Sequence, residues 1–435
     1  MISNKIKEGI YGNIEIPSDK SISHRSIIIP SISQGISEVN NLLMSDDVLH
    51  TLEAFRALGV KITKENKKII INGKGLASLT NSKKKIYLGN SGTSARLLTG
   101  LLASQSFNSI IEGDKSLSSR PMKRIIDPLK LMGAEFDNTS GTLPLKIIGK
   151  RLKKTKIEIE IPSAQIKSGL ILAAINTEGK SILVEKHITR DHTENMLRSF
   201  GAELEVKKNG TETLISIYGN KELKANNIDV PKDLSSSAFF IVAALINKGS
   251  KISMSNININ PTRNGILKAL NKMGANISIK NQRTLSGELV ADLYVEYSDL
   301  NGCELDSEMA KLMIDEYPIL SVAAAFANSP SLFRGLKELK VKESDRLELI
   351  RLNLQRCGCE CEVINDDLLI KPSKLYKPVE NKIRTDFDHR IAMSFTVMGS
   401  RIGNLLIEDA ESINTSFPNF IDIFNKSGGN ILWKK

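Results

Sequence analysis

Six stretches of the chain are apolar on nearly every side, and each opens on small polar or charged residues. They cover residues 21–33, 91–104, 164–175, 235–246, 315–327 and 388–399. A helix that is apolar all round belongs in a core, with sheets packed outside it; residues 171–175 and 241–246 show the pattern best. A second motif recurs in step with the first. Gly59, Gly133, Gly201, Gly274, Gly358 and Gly428 each close a helical pattern and precede a strand-like run. Such a Gly suits the left-handed position just past a helix end. About forty residues separate each polar start from its Gly, and about thirty separate that Gly from the next start. Strand-like runs such as Ile157-Glu158-Ile159-Glu160-Ile161 and Lys251-Ile252-Ser253-Met254 fall between. The order per unit is β-α-β-α-β-β, which makes the fold class α/β. Six units predict two domains of three units each, with the polar helix starts facing a common cleft that attracts anions.

At 435 residues the chain is too long for one core. Its 41% hydrophobic and 25% charged residues suit a globular protein. The net charge of +11 points to nucleic acid, an acidic membrane surface or small anionic substrates. Aromatic residues are only 5% and are not interleaved with the basic ones, which argues against a single-strand binder that stacks bases. The runs Lys83-Lys84-Lys85 and Lys153-Lys154 read as solvated edges. A nucleic-acid role accounts for the charge but not for cations placed at separate helix starts beside carboxylates. Cys357, Cys359 and Cys361 alternate along an expected strand and would share one face. With Cys303 they lack partners at zinc-ligand spacing, so the reading is buried thiols in a reducing compartment. Neither a targeting segment nor an apolar run of roughly 18–20 residues is present, which predicts a cytoplasmic protein.

The candidate chemistry gathers at the helix starts. In Pro17-Ser18-Asp19-Lys20-Ser21-Ile22-Ser23-His24-Arg25-Ser26, Ser18 or Asp19 would cap a helix whose first turn carries Lys20 and Ser21, with Arg25 one turn on. Free N–H groups and these cations form a socket for phosphate or carboxylate. Gly89-Asn90-Ser91-Gly92-Thr93-Ser94-Ala95-Arg96 follows a strand and opens a helix, and its glycines let backbone N–H groups approach a ligand. It matches neither a Walker A loop nor a dinucleotide fingerprint. Arg120 precedes a helix expected to start at Pro121. Ser163-Ala164-Gln165-Ile166-Lys167 offers neutral groups suited to ligand hydroxyls, and Arg190 adds a cation. Asp315-Glu316-Tyr317-Pro318 and Lys342-Glu343-Ser344-Asp345-Arg346 fall in one unit, where two carboxylates and two cations would meet as acid, base and anion-binding groups. Asp386-Phe387-Asp388-His389-Arg390 opens the sixth helix.

Together and in this order, these motifs resemble the 5-enolpyruvylshikimate-3-phosphate (EPSP) synthase family, the 3-phosphoshikimate 1-carboxyvinyltransferases, from Pro17 to about Pro418. The resemblance implies a two-domain enolpyruvyl transferase fold, each domain made of three βαβαββ units around buried helices. It places the N-terminal domain at residues 20–229, the C-terminal domain at 1–19 with 230–435, and the active site in the cleft between them. It implies transfer of the enolpyruvyl group of phosphoenolpyruvate to the 5-hydroxyl of shikimate 3-phosphate with release of phosphate. That reaction lies on the route to chorismate and the aromatic amino acids and uses no metal or organic cofactor. A monomer acting on two small substrates, without nucleic acid or membrane, is the implied state.

Carried over by position, Lys20, Ser21, Arg25, Ser163, Ala164, Gln165, Arg190, Asp315 and Lys342 would hold shikimate 3-phosphate. Lys20, Asn90, Gly92, Thr93, Arg120, Gln165, Arg346 and Arg390 would hold phosphoenolpyruvate. Asp315, Glu343 and Lys20 would be catalytic. The chain departs from the family pattern at Ser18, where many members have Gly, and at Thr415, where some have Lys. The Arg190-Asp191-His192-Thr193 and Asn260-Pro261-Thr262-Arg263 patterns resemble the glyphosate-tolerant subgroup, while Gly92 is retained where some tolerant members have Ala. The rival reading is the sister transferase acting on UDP-N-acetylglucosamine. That family usually carries a reactive Cys, or an Asp in some members, before the Arg-Pro pair. Here residues 113–120 contain no Cys, although Asp114 is acidic.

Overall fold

Polar caps decide where the apolar helices begin. In the computed structural model, which describes residues 1–137, 140–373, 376 and 378–433, the side chains of Asp19, Ser91, Ser163, Asp233 and Asp388 each accept a backbone N–H from the first turn. This satisfies donors that a helix start otherwise leaves open. The helices so capped are α1 (Lys20–Ser31), α2 (Gly92–Ala103), α3 (Ala164–Ile175), α4 (Leu234–Ile246) and, after α5 (Tyr317–Ala325), α6 (His389–Ile402). Helix α5 starts later than the sequence pattern predicts. Ile314–Glu316 form a 3-10 turn, and Pro318 sits in the first α-helical turn, where its missing N–H costs nothing. Asp315 is thereby held on a tight turn just outside the helix. The apolar stretches are buried as expected: every residue of α4, and all of α3 from Ile166 onward, is covered.

Among the described residues, six four-stranded sheets accompany these helices. One repeat shows the plan. Ile86–Tyr87 leads into α2, then Ser109–Glu112, the helix Lys123–Leu131, Glu135–Asp137 and Leu145–Ile148. The first two strands pair in parallel; the fourth lies antiparallel to both the second and the third. This is the βαβαββ order. Each repeat ends its second helix in the same way. The six repeat glycines all have positive φ. The residue after each donates its N–H to a carbonyl five positions back, as in Val60 to Phe55 and Ala202 to Leu197, a Schellman closure.

The chain divides into two compact units. One, termed the N unit, comprises residues 18–231 with 284–288; the other, the C unit, comprises 1–17, 232–283 and 289–435. Each contains three of the sheets, three of the buried helices and its own apolar core. Strand exchange accompanies the passages of the chain near residues 17 and 231. Tyr11–Asn13 precedes α1 but pairs in parallel with Lys251–Asn258 in the C unit. The vacant place beside Gln34–Asn40 is taken by Ile228–Asp229. Likewise Ile2–Ser3 completes the last sheet, antiparallel to Leu405–Ile407 and Ile431–Leu432. Within the N unit, α2 and α3 touch backbone to backbone. A Cβ on Gly100 would stand 1.9 Å from the Gly169 carbonyl oxygen, so only Gly fits there.

Two local expectations are corrected. Of the three closely spaced cysteines only Cys361 lies in a strand, Glu360–Ile364; Cys357 ends the helix Arg346–Arg356. The Schellman closure at Gly358 occupies the residues that the alternation assigned to strand. The four cysteines are nonetheless buried and unpaired, and burial pushes the thiols of Cys357 and Cys359 up to about 12. The helix expected from Pro121 begins instead at Lys123, and Arg120 ends a short helix, Lys115–Ser119. Among the described residues no helix is long and apolar enough to cross a membrane.

Candidate functional site

The candidate residues divide between the units, and each set is built on helix starts. In the N unit, Lys20 at the start of α1 forms an ion pair with Asp47, 2.8 Å away in the first turn of the helix Asp46–Ala57. One turn along α1, the His24 ring is fully buried. Its Nδ1 lies 2.8 Å from Thr51 Oγ1 and 3.2 Å from Ser94 Oγ, tying α1 to the start of α2. Burial, reinforced by Lys20 and Arg25, holds the imidazole well below the usual histidine range. The folded state therefore keeps His24 neutral where the unfolded chain takes up a proton. The stability this contributes is present above the unfolded value near 6.5 and is lost as pH falls below it. We expect unfolding free energy to fall on acidification below about 6.5 with a slope of up to about 1.4 kcal/mol per pH unit from this group. Denaturant unfolding of the parent and His24→Gln between pH 7 and 5 checks it, since the variant should lose that part of the slope.

Arg25 donates from Nε to Thr193 Oγ1, from Nη1 to the Ser21 carbonyl and from Nη2 to Ser168 Oγ. Burial lowers it to about 10. Ser163 caps α3, with Ala164 and Gln165 in its first turn. Gln165 accepts from Arg96 Nη1 at 2.7 Å and donates to Thr93 Oγ1 at 3.1 Å. Arg120 donates to the side-chain oxygen of Asn90 and to Ser116 Oγ. A Cβ built on Gly92 would lie 2.7 Å from Arg96 Nη1 and 3.2 Å from Arg120 Nη1. Thus Asn90, Gly92, Thr93, Arg120 and Gln165 form one cluster. Arg190 stands half-buried just before the helix His192–Ser199.

In the C unit the expected meeting of carboxylates and cations takes place. Asp315 Oδ1 lies 3.2 Å from Lys342 Nζ and 3.3 Å from Arg346 Nη1, while Glu343 Oε2 lies 2.7 Å from Arg346 Nη2. Arg346 also grips Asp388, with Nε 2.8 Å from Oδ2 and Nη2 3.3 Å from Oδ1. Burial opposes the charge on Arg346, which is 1% exposed. Asp388, Glu343 and Asp315 outweigh that cost and hold the guanidinium above the ordinary arginine range. Arg390 donates to the Asp315 carbonyl at 3.3 Å and lies 3.8 Å from the buried Glu316.

The motifs located the candidate charged and polar groups but left several of their partners unassigned. Asp47 reads in the sequence only as an acid in a helix first turn, a common dipole-favouring placement. Asp388 reads as a cap, which it is, yet the same carboxylate also binds Arg346. Arg96 reads as one more residue of a helix start. Thr193 reads only as the last residue of the Arg190–Thr193 pattern and Ser168 carries no signal, because only the packing of α1, α3 and the helix His192–Ser199 brings them to Arg25.

Comparison with known proteins adds three findings. A family model described as EPSP synthase (3-phosphoshikimate 1-carboxyvinyltransferase) matches residues 5–424. Relatives named 3-phosphoshikimate 1-carboxyvinyltransferase include one from Vesicomyosocius okutanii subsp. Calyptogena okutanii, 43% identical over 97% of this chain and 96% of its own. Another, from Gluconobacter oxydans, is 44% identical over 98% and 97%. A solved EPSP synthase structure from Acinetobacter baumannii matches 98% of both chains with a TM-score of 0.85 at 40% identity.

Proposed function

The chain belongs to the family of EPSP synthases, the 3-phosphoshikimate 1-carboxyvinyltransferases, and from that membership we infer how its residues share the reaction. The enzyme transfers the enolpyruvyl group of phosphoenolpyruvate to the 5-hydroxyl of shikimate 3-phosphate and releases phosphate, on the route to chorismate. The sister reading with UDP-N-acetylglucosamine is set aside, because the full-length relatives at 43% and 44% identity bear the shikimate name. Two domains of three repeats, a cytoplasmic location, a monomeric state and the individual residue roles below belong to the proposal.

One observation supports the assignment of chemistry most directly: Asp315, Lys342, Glu343 and Arg346 converge within 3.3 Å contacts. The 5-hydroxyl must lose a proton as its oxygen bonds to C2 of phosphoenolpyruvate, and C3 must gain one. The resulting tetrahedral intermediate then loses the C3 proton and the C2–O bond to phosphate. In our reading Asp315 faces the hydroxyls of shikimate 3-phosphate and takes the proton, with Lys342 on the same substrate. Glu343 works with Lys20 in moving the proton on and off C3. Arg120, Arg346, Arg390 and Lys20, with Asn90, Gly92, Thr93 and Gln165, bind phosphoenolpyruvate, whose charge needs such donors. Lys20, Ser21, Arg25, Ser163, Ala164, Gln165 and Arg190 bind shikimate 3-phosphate. The chemistry calls on protons and fixed charge, without a metal or organic cofactor.

Gly92 supplies a prediction that separates the substrates. Ala at this position forces Arg96 and Arg120 to shift. A displacement of this kind at a positioned group costs on the order of ten-fold or more. We expect Gly92→Ala to raise KM for phosphoenolpyruvate by about that factor and to leave KM for shikimate 3-phosphate near the parent value, as measured by steady-state kinetics.

The reading is tested by phosphate release from phosphoenolpyruvate in metal-free buffer. Release that depends on shikimate 3-phosphate is the expected result. Release only with UDP-N-acetylglucosamine, or none with either acceptor, would overturn it.

A further inference from the structure

Two buried arginines stand in opposite surroundings. Arg346 is bonded to three carboxylates. Arg25, only 3% exposed, is held by neutral groups alone: Thr193 Oγ1 and Ser168 Oγ, each at 2.7 Å, and the Ser21 carbonyl at 2.9 Å. The Thr193 hydroxyl donates in turn to Ser168 Oγ at 2.7 Å, so the two hydroxyls form a linked pair. The nearby acids are engaged elsewhere. Lys167 takes Glu194 at 2.9 Å and Glu185 at 3.3 Å, Glu288 lies 2.9 Å from His192 Nδ1, and Asp19 caps α1. Among the described residues no carboxylate pairs directly with Arg25.

Hydroxyl and carbonyl oxygens fix the plane of a guanidinium without cancelling its charge. Arg25 has five N–H groups. The three bonds use Nε–H and one N–H on each terminal nitrogen, which leaves one N–H on each for an anion. Arg25 and the hydroxyl pair together span three elements: Arg25 lies on α1, Ser168 on α3 and Thr193 in the first turn of the helix His192–Ser199. The orientation of Arg25 is therefore set by packing that α1 alone does not supply.

We propose that Thr193 and Ser168 are positioning residues for substrate binding, orienting Arg25 through neutral oxygens so that its charge stays available to the anionic shikimate 3-phosphate. This rests on the assignment of Arg25 to that substrate. It predicts an effect confined to one Michaelis constant. Removing either oxygen leaves a buried guanidinium N–H without its acceptor and frees Arg25 to rotate.

The test compares full-length Thr193→Val, Ser168→Ala, Thr193→Ser, Ser168→Asp and Arg25→Ala by steady-state phosphate release, with each substrate varied in turn. Thr193→Val and Ser168→Ala should each raise KM for shikimate 3-phosphate about ten-fold. KM for phosphoenolpyruvate should stay near that of the parent. Thr193→Ser, which keeps the oxygen, should restore binding. Ser168→Asp, which sets a carboxylate against Arg25, should weaken binding further than Ser168→Ala. If Arg25→Ala raises KM for shikimate 3-phosphate while Thr193→Val and Ser168→Ala do not, the positioning role is wrong and the Arg25 assignment stands. If Arg25→Ala leaves that KM unchanged, the assignment fails and the inference with it. A lower kcat with both Michaelis constants unmoved marks a merely structural role and also overturns the proposal. Should Thr193→Val not fold, Ser168→Ala carries the same test.

Discussion

Asp315→Ala and Glu343→Gln are each expected to lower kcat by about 10²- to 10⁴-fold, the range typical of a lost general acid or base. The two carboxylates are distinguished by their settings. Asp315 sits on the 3-10 turn ahead of α5, its charge balanced by Lys342 and Arg346. In the proposed role, a carboxylate fixed in this way takes the proton without first reorganising. Glu343, in the bend ahead of the helix Arg346–Arg356, is bound by Arg346 and is 22% exposed. The variants should differ in a second readout. Asp315→Ala should also raise KM for shikimate 3-phosphate, whose hydroxyls it is proposed to contact. Glu343→Gln, nearly isosteric, should chiefly suppress exchange of solvent deuterium into the methylene of phosphoenolpyruvate. Near-parental kcat in both variants would remove these residues from the chemistry.

The second large effect concerns stability. Arg346→Met is expected to destabilise the C unit by about 3–5 kcal/mol, the cost typical of breaking a buried ion pair from one side. Arg346 is 1% exposed and Asp388 fully buried. Among the described residues, removing the guanidinium leaves Asp388 buried with the Ser344 hydroxyl and the Arg390 N–H as hydrogen-bond donors in place. Asp315 and Glu343 lose a partner at the same time. Most of the penalty is an uncompensated buried charge, so adding Asp388→Asn should recover part of it, and a double-mutant cycle measures that coupling. Denaturant unfolding monitored by circular dichroism checks both values. A loss below about 1 kcal/mol, the scale of an exposed pair, would show that Asp388 is solvated in solution.

The sequence was most legible where local physics repeats. All-round apolarity marked the six buried helices, and glycine marked the six helix ends, because both effects act within a few residues. It was least legible where local preference and tertiary closure compete. The cysteine alternation suggested a strand, but the Schellman closure at Gly358 claimed those residues. Apolar periodicity began α5 at Asp315, but a 3-10 turn before Pro318 intervened.

The candidate site divides in the same way. Lys20, Arg25, Arg120, Asp315, Glu343, Arg346 and Arg390 stand beside helix starts or short polar turns, where cap chemistry and charge are written into neighbouring residues. The sequence by itself thus determined the α/β repeat, the burial of six helices and the positions of these charged groups. Only the tertiary structure decided their partners. Lys20 meets Asp47 twenty-seven residues on, Arg25 meets Thr193 from 168 residues away, and α2 meets α3 through Gly100 and Gly169. Helix capping reaches one turn along the chain, whereas ion pairing and close packing depend on distance through space. Which cation is balanced by carboxylates, as in Arg346, and which keeps its charge among hydroxyls, as in Arg25, is settled only when distant helices pack.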